Sequence, residues 1–383
     1  MENRHFDRNS LVFRPLDERK DEIRYNSVRI APSTTISPLP EEETAIVRQT
    51  ALDILAARQQ GRSRMLTFGT DLIRNGLAPV VGEFIRRGWL THLATTGTSA
   101  VDDWEFAARG AAAEDGRDGL TEGFFGMWDE TSRLISLAVM AGAMEGLGLG
   151  ESIARVISTG RIVIPDRTTL AAYISDVSNP EKVSAAAALL DKIKSYDIPA
   201  GEIRIEFPFR RDSLMRMAYE AGIPFTIHPM FGLDVPFMHP MCSFAAVGQG
   251  AEADFLYFVE NVKNLDGGVY LSVGSSVASP MIFEKALSMS QNVLQQKGGS
   301  PMTRHKIVVV DLSTSKWDWM KNGEPPETRP EYYLRYCKSF SRAKAESMYY
   351  VCADNRDFML NLFRELDKLD NLSTNNNTLC ENF

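Results

Sequence analysis

RMLTFGTDLIRNGLAPVVGEFIRRGWLTHLATTG, residues 64–97, decides the fold class. RMLTFG is a short apolar run closed by glycine, the length of a buried strand. DLIRNGLAPVVGEFIRRG follows with apolar residues at helical spacing, and Gly88 stops it. LTHLATT is a second strand, ended by Gly97. A strand, a crossing helix and another strand in so short a stretch form the unit from which parallel sheets are built.

The same alternation returns downstream. Ser213 to Ala221 reads as a helix closed by Gly222, and IPFTIH as a strand. Ala251 to Lys263 is helical, GGVYLSVGSS a strand running into a loop, and Pro280 to Gln295 a helix. KIVVVDLS is a strand, and MYYVCAD leads into a last helix, Asn355 to Lys368. Strands near 64–68, 90–96, 223–227, 268–273 and 306–311, each followed by a helical stretch, predict an α/β fold. It is Rossmann-like and doubly wound, with a mainly parallel sheet and helices on both faces. Before it, Ile46, Ala51, Leu52, Leu55 and Ala56 have helical period up to Gly61, with the acidic run EEE at 41–43 favourable at the helix start. Residues 1–43 read as an extended arm, 44–369 as the α/β domain, 115–205 as a mostly helical insertion or lid, and 370–383 as a disordered tail.

The chain has 383 residues, with 42 Lys+Arg against 50 Asp+Glu and a formal charge of −8. That balance argues against broad nucleic-acid binding, which needs a basic field, and leaves room for a cationic small molecule such as an amine. The four cysteines, Cys242, Cys337, Cys352 and Cys380, form no CxxC pair, so reduced thiols in a cytoplasm are the simple reading. MENRHFDRNS lacks the apolar centre of a signal peptide. The longest apolar stretch, Leu134 to Gly150, is broken by Ser136, Gly142 and Glu145 and is too short for a membrane span.

In doubly wound sheets, ligands bind outside the carboxyl ends of the strands. That rule selects Gly69–Asp71, Thr95–Asp103, His228–His239, Gly274–Ser279 and Asp311–Ser315. Taken singly, each of these loops is better explained by turn chemistry and helix capping; five together are harder to dismiss. TTGTSAVDD, 95–103, lies between a strand and a helix, where a phosphate turn belongs, but there is neither a GxGxxG nor a GxxxxGK[ST] in the chain. His228 and His239 flank Asp234 in one proline-bounded loop and suit a substrate or cofactor contact, an acid–base pair, or loop structure alone; no third ligand gives metal spacing, so no metal is expected. His92 reads as a core histidine, His5 and His305 as surface residues, and Met215, Met217, Met281 and Met289 as core filler. A GxSxG elbow is absent.

RPEYYLRYCKSF, 329–340, surrounds Lys338 with Tyr332, Tyr333, Tyr336 and Phe340. Such a surround can desolvate an amine and free its neutral form for imine chemistry; an amphipathic helix with a solvated lysine explains the same residues.

With these segments in order, the chain resembles a divergent, bacterial-type deoxyhypusine synthase family member over roughly residues 64 to 365. Asp71 to Gly76 stand where that family carries "NLISSG", and Thr95 to Ser99 where it carries "TTAGG". AYEAGIPFTIHPMFGLD and GGVYLSVGSS resemble its central strand and its glycine-rich cofactor turn, and RPEYYLRYCKSF is similar to its "RPDEAVSWGKI". The resemblance implies NAD, a homotetramer, and aminobutyl transfer from spermidine through a lysine imine to an acceptor amine, either a protein lysine or a second small amine as in homospermidine formation. By position it implies Lys338 as nucleophile and Thr70, Asp71, Thr96, Gly97, Thr98, Asp103, Asp234, Gly274, Ser275 and Asp311 around the cofactor. Glu331, with His228 and His239, would face the polyamine. The chain departs from the pattern at Tyr332, at KNGEPPET, at Ala278 and Ser279, and at Thr98-Ser99. A protein that keeps the nucleotide pocket and has lost catalysis is the alternative from another functional class.

Overall fold

A computed structural model describes residues 5–380. Among the described residues there are ten strands: β1 (Asp21–Arg24), β2 (Arg64–Phe68), β3 (His92–Thr96), β4 (Ala111–Glu114), β5 (Arg161–Ile164), β6 (Gly201–Arg204), β7 (Phe225–His228), β8 (Val269–Val273), β9 (Lys306–Asp311) and β10 (Ser347–Cys352). The chain divides into two compact units. One comprises Met1–Val28, Gly97–Glu220 and Thr226–Asp254, and the other Arg29–Thr96, Ala221–Phe225 and Phe255–Phe383.

The second unit carries the sheet. Its order is β10-β9-β8-β2-β3, with β7, whose first residue Phe225 falls in this unit, as the sixth strand beyond β3. β10 with β9, β9 with β8, β8 with β2, and β2 with β3 all pair in parallel. Numbered by appearance within the sheet, this is the order 3-2-1-4-5-6 read from β7, the doubly wound dinucleotide-binding topology, with its switch point between β2 and β8. All residues of β2, β3 and β8 are buried, as strands covered on both faces must be. Met65, Phe258, Tyr270, Phe283, Trp319 and Phe340 belong to the core packed about them; burying each such side chain contributes about 1.5–3 kcal/mol.

The segment read as one helix from Asp71 to Gly88 is two: Thr70–Arg74 and Ala78–Arg86. Gly76 breaks it at φ 71°, and Pro79, in the first turn of the second helix, cannot supply the amide needed to continue the first. The last helix starts at Asn355 as read, but runs to Cys380, through the stretch expected to be disordered. Asp370 explains part of this, since it accepts from Arg58 and from the Trp89 indole at 3.0 Å. Residues 381–383 of that expected tail lie outside the described residues. His305, read as a surface residue, is 0% exposed and packs by the Phe283 ring.

The first unit is mostly helical with two antiparallel ribbons, β1 with β4 and β5 with β6. The segment 115–205 supplies five helices and the β5–β6 ribbon to it, alongside part of the N-terminal arm. That arm is anchored by charge. Arg19 donates to Glu105 at 2.9 Å and to Asp21 at 3.0 Å, and Arg109 reaches Asp21 at 2.9 Å. Asp21 and Glu105 are almost fully buried, so the pairs are mutually required.

Candidate functional site

At the switch point, β2 ends in Phe68-Gly69 and β8 in Val273-Gly274. The Gly69 N–H donates to the Val273 carbonyl at 3.0 Å, and the Gly274 N–H to the Val310 carbonyl at 2.8 Å. A Cβ on Gly69 would lie 2.0 Å from the Gly274 oxygen, so only glycine fits. Gly274 takes φ 61°, turns the chain away from the sheet, and is exposed together with Ser276. Ser275 is buried, and its hydroxyl accepts from the Ser279 N–H at 3.2 Å at the start of the helix Ala278–Gln296. Beneath this mouth, the Tyr270 hydroxyl donates to Thr67 at 2.8 Å and lies 2.9 Å from the Ser279 hydroxyl; burial raises its pKa. Thr95 caps the Phe68 carbonyl at 2.8 Å from the neighbouring strand. Around the opening stand half-buried Thr70, exposed Asp71, buried Thr96, and half-buried Asp311, whose carboxylate accepts from the Ser313 N–H at 2.9 Å.

The ends of β2, β3, β8 and β9, at one edge of the parallel sheet, therefore carry Thr70, Asp71, Thr96, Gly274, Ser275 and Asp311 from the sequence-derived set. Gly69, which fixes the tightest approach, was legible only as a loop glycine. The residues suit a nucleotide in one respect above others: a close backbone approach where a Cβ would intrude, next to exposed backbone and hydroxyls. Thr96 offers a hydroxyl where an NAD-binding sheet of this order usually places a carboxylate for the ribose.

Gly97, Thr98 and Asp234 meet in the first unit. The helix begins at Gly97 immediately after β3, not near Asp102, so TTGTSAVDD is mostly helix rather than turn. Asp234 accepts from the Thr98 hydroxyl at 3.1 Å and the Met230 N–H at 2.9 Å, and a Cβ on Gly97 would meet its carboxylate. Burial raises the Asp234 carboxyl above its usual range. Gly97 and Asp234 line a cavity of about 50 Å³ whose other walls include Ile135, Val139, Phe237 and Cys242. That space holds a water or two, not a nicotinamide. Cys242 is a buried thiol, pushed up to about 11 by burial, and so a poor nucleophile.

Asp103 and the histidines are engaged within the same unit. Asp103 is 2% exposed and accepts from the Ser213 hydroxyl at 2.6 Å and the Leu214 and Met215 amides at 3.0 and 3.2 Å, capping the helix Leu214–Glu220. Burial lifts it to about 6 against those bonds. His228 lies 3.1 Å from the Thr226 hydroxyl, and burial pushes it down to about 4. His239 accepts at Nδ1 from the Met241 N–H at 3.0 Å, which leaves its proton on Nε2, 3.1 Å from Asp129. Bonding to His239 contributes most to holding the Asp129 carboxyl below its usual range. Asp254, not singled out by sequence, accepts from the Gly150 and Ile227 amides at 3.0 and 2.8 Å, and burial pushes it up to about 8. The helix that carries it, Phe244–Lys263, also holds Glu252 and Glu260, so nothing local in the sequence set Asp254 apart.

Lys338 lies on the short helix Arg335–Ser341 of the sheet unit, half-buried. Its ammonium donates to the Tyr332 hydroxyl, sits 3.9 Å from that ring's centroid, and is 3.9 Å from Glu324. Phe340 on the same helix packs against Tyr270 and Phe283, fixing the helix to the core beside β8. Glu331 pairs with Arg329 at 3.3 Å. Among the described residues, no group of three His, Cys, Asp or Glu could hold a metal ion, and no helix is long and apolar enough to cross a membrane.

No protein-family model and no curated protein matches the chain, so the likeness to deoxyhypusine synthases stays one of short segments. Among solved structures, the chain is similar to ArgZ, an arginine dihydrolase from the ornithine–ammonia cycle in cyanobacteria, at 16% identity over 85% of this chain and 33% of that one, TM-score 0.38. It is similar to AgrE, solved with ornithine and NAD+, at 15% identity over 88% of this chain and 34% of that one, TM-score 0.41. A LOR/SDH protein from Methanococcus maripaludis S2 aligns at 14% identity over 89% and 74%, TM-score 0.40. The chain spans about a third of the length of the first two.

Proposed function

We propose that the chain binds NAD in the crevice between the ends of β2 and β8 and uses it in an enzymatic hydride transfer. The observation that carries this reading is the strand order, with Gly69 and Gly274 in close approach at its switch point. When bound, NAD would supply the hydride acceptor. Gly69 and Gly274 would admit its phosphates close to the backbone, while Thr70, Ser275 and Thr96 would offer hydroxyls to phosphate or ribose. Asp71 and Asp311 would orient ribose hydroxyls or a cationic substrate. Calorimetric titration of NAD into the wild type and into Ser276→Asp tests it. The wild type binds, and the added charge at the exposed mouth lowers affinity by about tenfold or more. Equal affinity in the two proteins contradicts the site.

A finer reading makes this an amine enzyme of the deoxyhypusine synthase type. In it, a secondary amine such as spermidine loses hydride from the carbon beside nitrogen. The resulting imine exchanges onto Lys338 with loss of diaminopropane, and the aminobutyl group then passes to an acceptor amine and is reduced by the returning hydride. The contact of Lys338 with Glu324 favours it, because that carboxylate is in place to take the proton a nucleophilic amine must lose, while the Tyr332 hydroxyl accepts a hydrogen bond from the same ammonium. Borohydride added with NAD and spermidine should trap an adduct on Lys338 and none in Lys338→Arg. An untrapped wild-type protein that still binds NAD removes this chemistry and leaves the nucleotide-binding reading standing.

A further inference from the structure

In the helical unit, the β5–β6 ribbon and the residues after it enclose a concavity of about 1090 Å³, in a region distinct from the loops that follow β2 and β8. Five arginines line it, Arg161, Arg204, Arg210, Arg211 and Arg216, against two glutamates, Glu202 and Glu206. The whole chain carries more acid than base, so this concentration of guanidinium groups departs from its average.

Four of the five arginines are held in place. Glu202 pairs with Arg161 at 2.9 Å and with Arg204 at 3.5 Å, so one carboxylate orients two guanidiniums across the ribbon. Arg210 donates to the Ser158 carbonyl at 3.1 Å. Arg216 donates to Glu220 at 2.7 Å and also reaches the Arg210 and Arg211 carbonyls. Arg211 has no ion-pair partner among the described residues. Gly160, at φ 70°, turns the chain out of the helix Leu149–Thr159, and a Cβ there would stand 3.1 Å from the Ile205 carbonyl and 3.9 Å from Arg210. Ile205, buried Phe207 and Pro208 supply an apolar wall.

The geometry points to a binding site for a small organic polyphosphate of nucleotide size. Guanidinium forks match phosphate oxygens in pairs, and anchoring most of them beforehand lowers the ordering cost of binding. The apolar wall suits the organic part, and the concavity is at the upper end of the size usual for such ligands. This site is independent of the proposed NAD crevice.

Calorimetric titrations with pyrophosphate, ATP and adenosine test it in the full chain. Pyrophosphate and ATP should bind, more weakly as sodium chloride is added, and adenosine should not. Arg204→Glu combined with Arg211→Glu should lower both affinities about tenfold or more, with thermal unfolding and NAD titration unchanged, because both side chains are exposed. Ser276→Asp should leave ATP affinity as in the wild type. No binding of either phosphate at millimolar concentration in low salt overturns the site. So does equal affinity in the double variant, or loss of ATP binding in Ser276→Asp.

Discussion

The two units are stabilised by different means. In the sheet unit, β2, β3 and β8 are buried along their whole length, and an aromatic cluster around Tyr270 and Phe283 fills the core. In the helical unit, buried carboxylates take a larger part: Glu105 and Asp21 hold Arg19, Asp103 caps one helix, and Asp254 caps another. Apolar burial is tolerant of small changes and has no direction, whereas a buried carboxylate requires its partners in place. The sheet unit should therefore respond gradually to substitution and the helical unit abruptly.

The largest effect is expected at Arg19. Arg19→Met leaves Glu105 buried without its cation and Asp21 with Arg109 alone, and should cost about 3–5 kcal/mol in urea unfolding. A loss below 1 kcal/mol would place the two units on the same footing. Next, pH should separate them. Burial holds His305 of the sheet unit down at about 4, so it stays neutral when folded while the unfolded chain takes a proton near its usual 6.5. Its contribution is complete above pH 6.5 and is lost as pH falls toward 4, up to about 3 kcal/mol. His305→Phe should flatten that arm of the stability curve. Asp254 acts in the opposite sense. Its carboxyl, raised to about 8, contributes stability at acidic pH that is lost as pH rises from about 4 through 8. Asp254→Asn should remove that decline, and an unchanged slope would exclude it as the source.

A smaller effect is expected at Gly69→Ala. Its φ of −88° suits alanine, so any loss comes from the contact with the Gly274 carbonyl rather than from backbone strain. Displacing that carbonyl should cost about 1–3 kcal/mol and weaken NAD binding together with it. The smallest concerns the Ser213 hydroxyl bonded to Asp103: Ser213→Ala should cost about 1 kcal/mol by thermal unfolding.

The same contrast explains what was legible in the sequence. Short apolar runs ended by glycine exposed the sheet strands, because burial on both faces leaves a continuous apolar signature in β2, β3 and β8. The placement of Gly69–Asp71, Gly274–Ser275 and Asp311 at the strand ends followed from the same runs. Periodicity could not reveal that Asp103 and Asp254 bind amides of segments distant along the chain, because such bonds leave no local pattern. It likewise missed His305, whose polar neighbours Arg304 and Lys306 suggested a surface. The break at Gly76 and the start of a helix at Gly97 turn on one or two residues each, below what an apolar spacing resolves.

Amide hydrogen exchange with and without NAD tests the central claim most directly. Protection should appear in peptides spanning residues 68–74 and 272–279, where β2 and β8 end and the chain turns at Gly69 and Gly274. Exchange unchanged in both segments at saturating NAD, or protection confined to the helical unit, would contradict a dinucleotide site at the sheet's switch point.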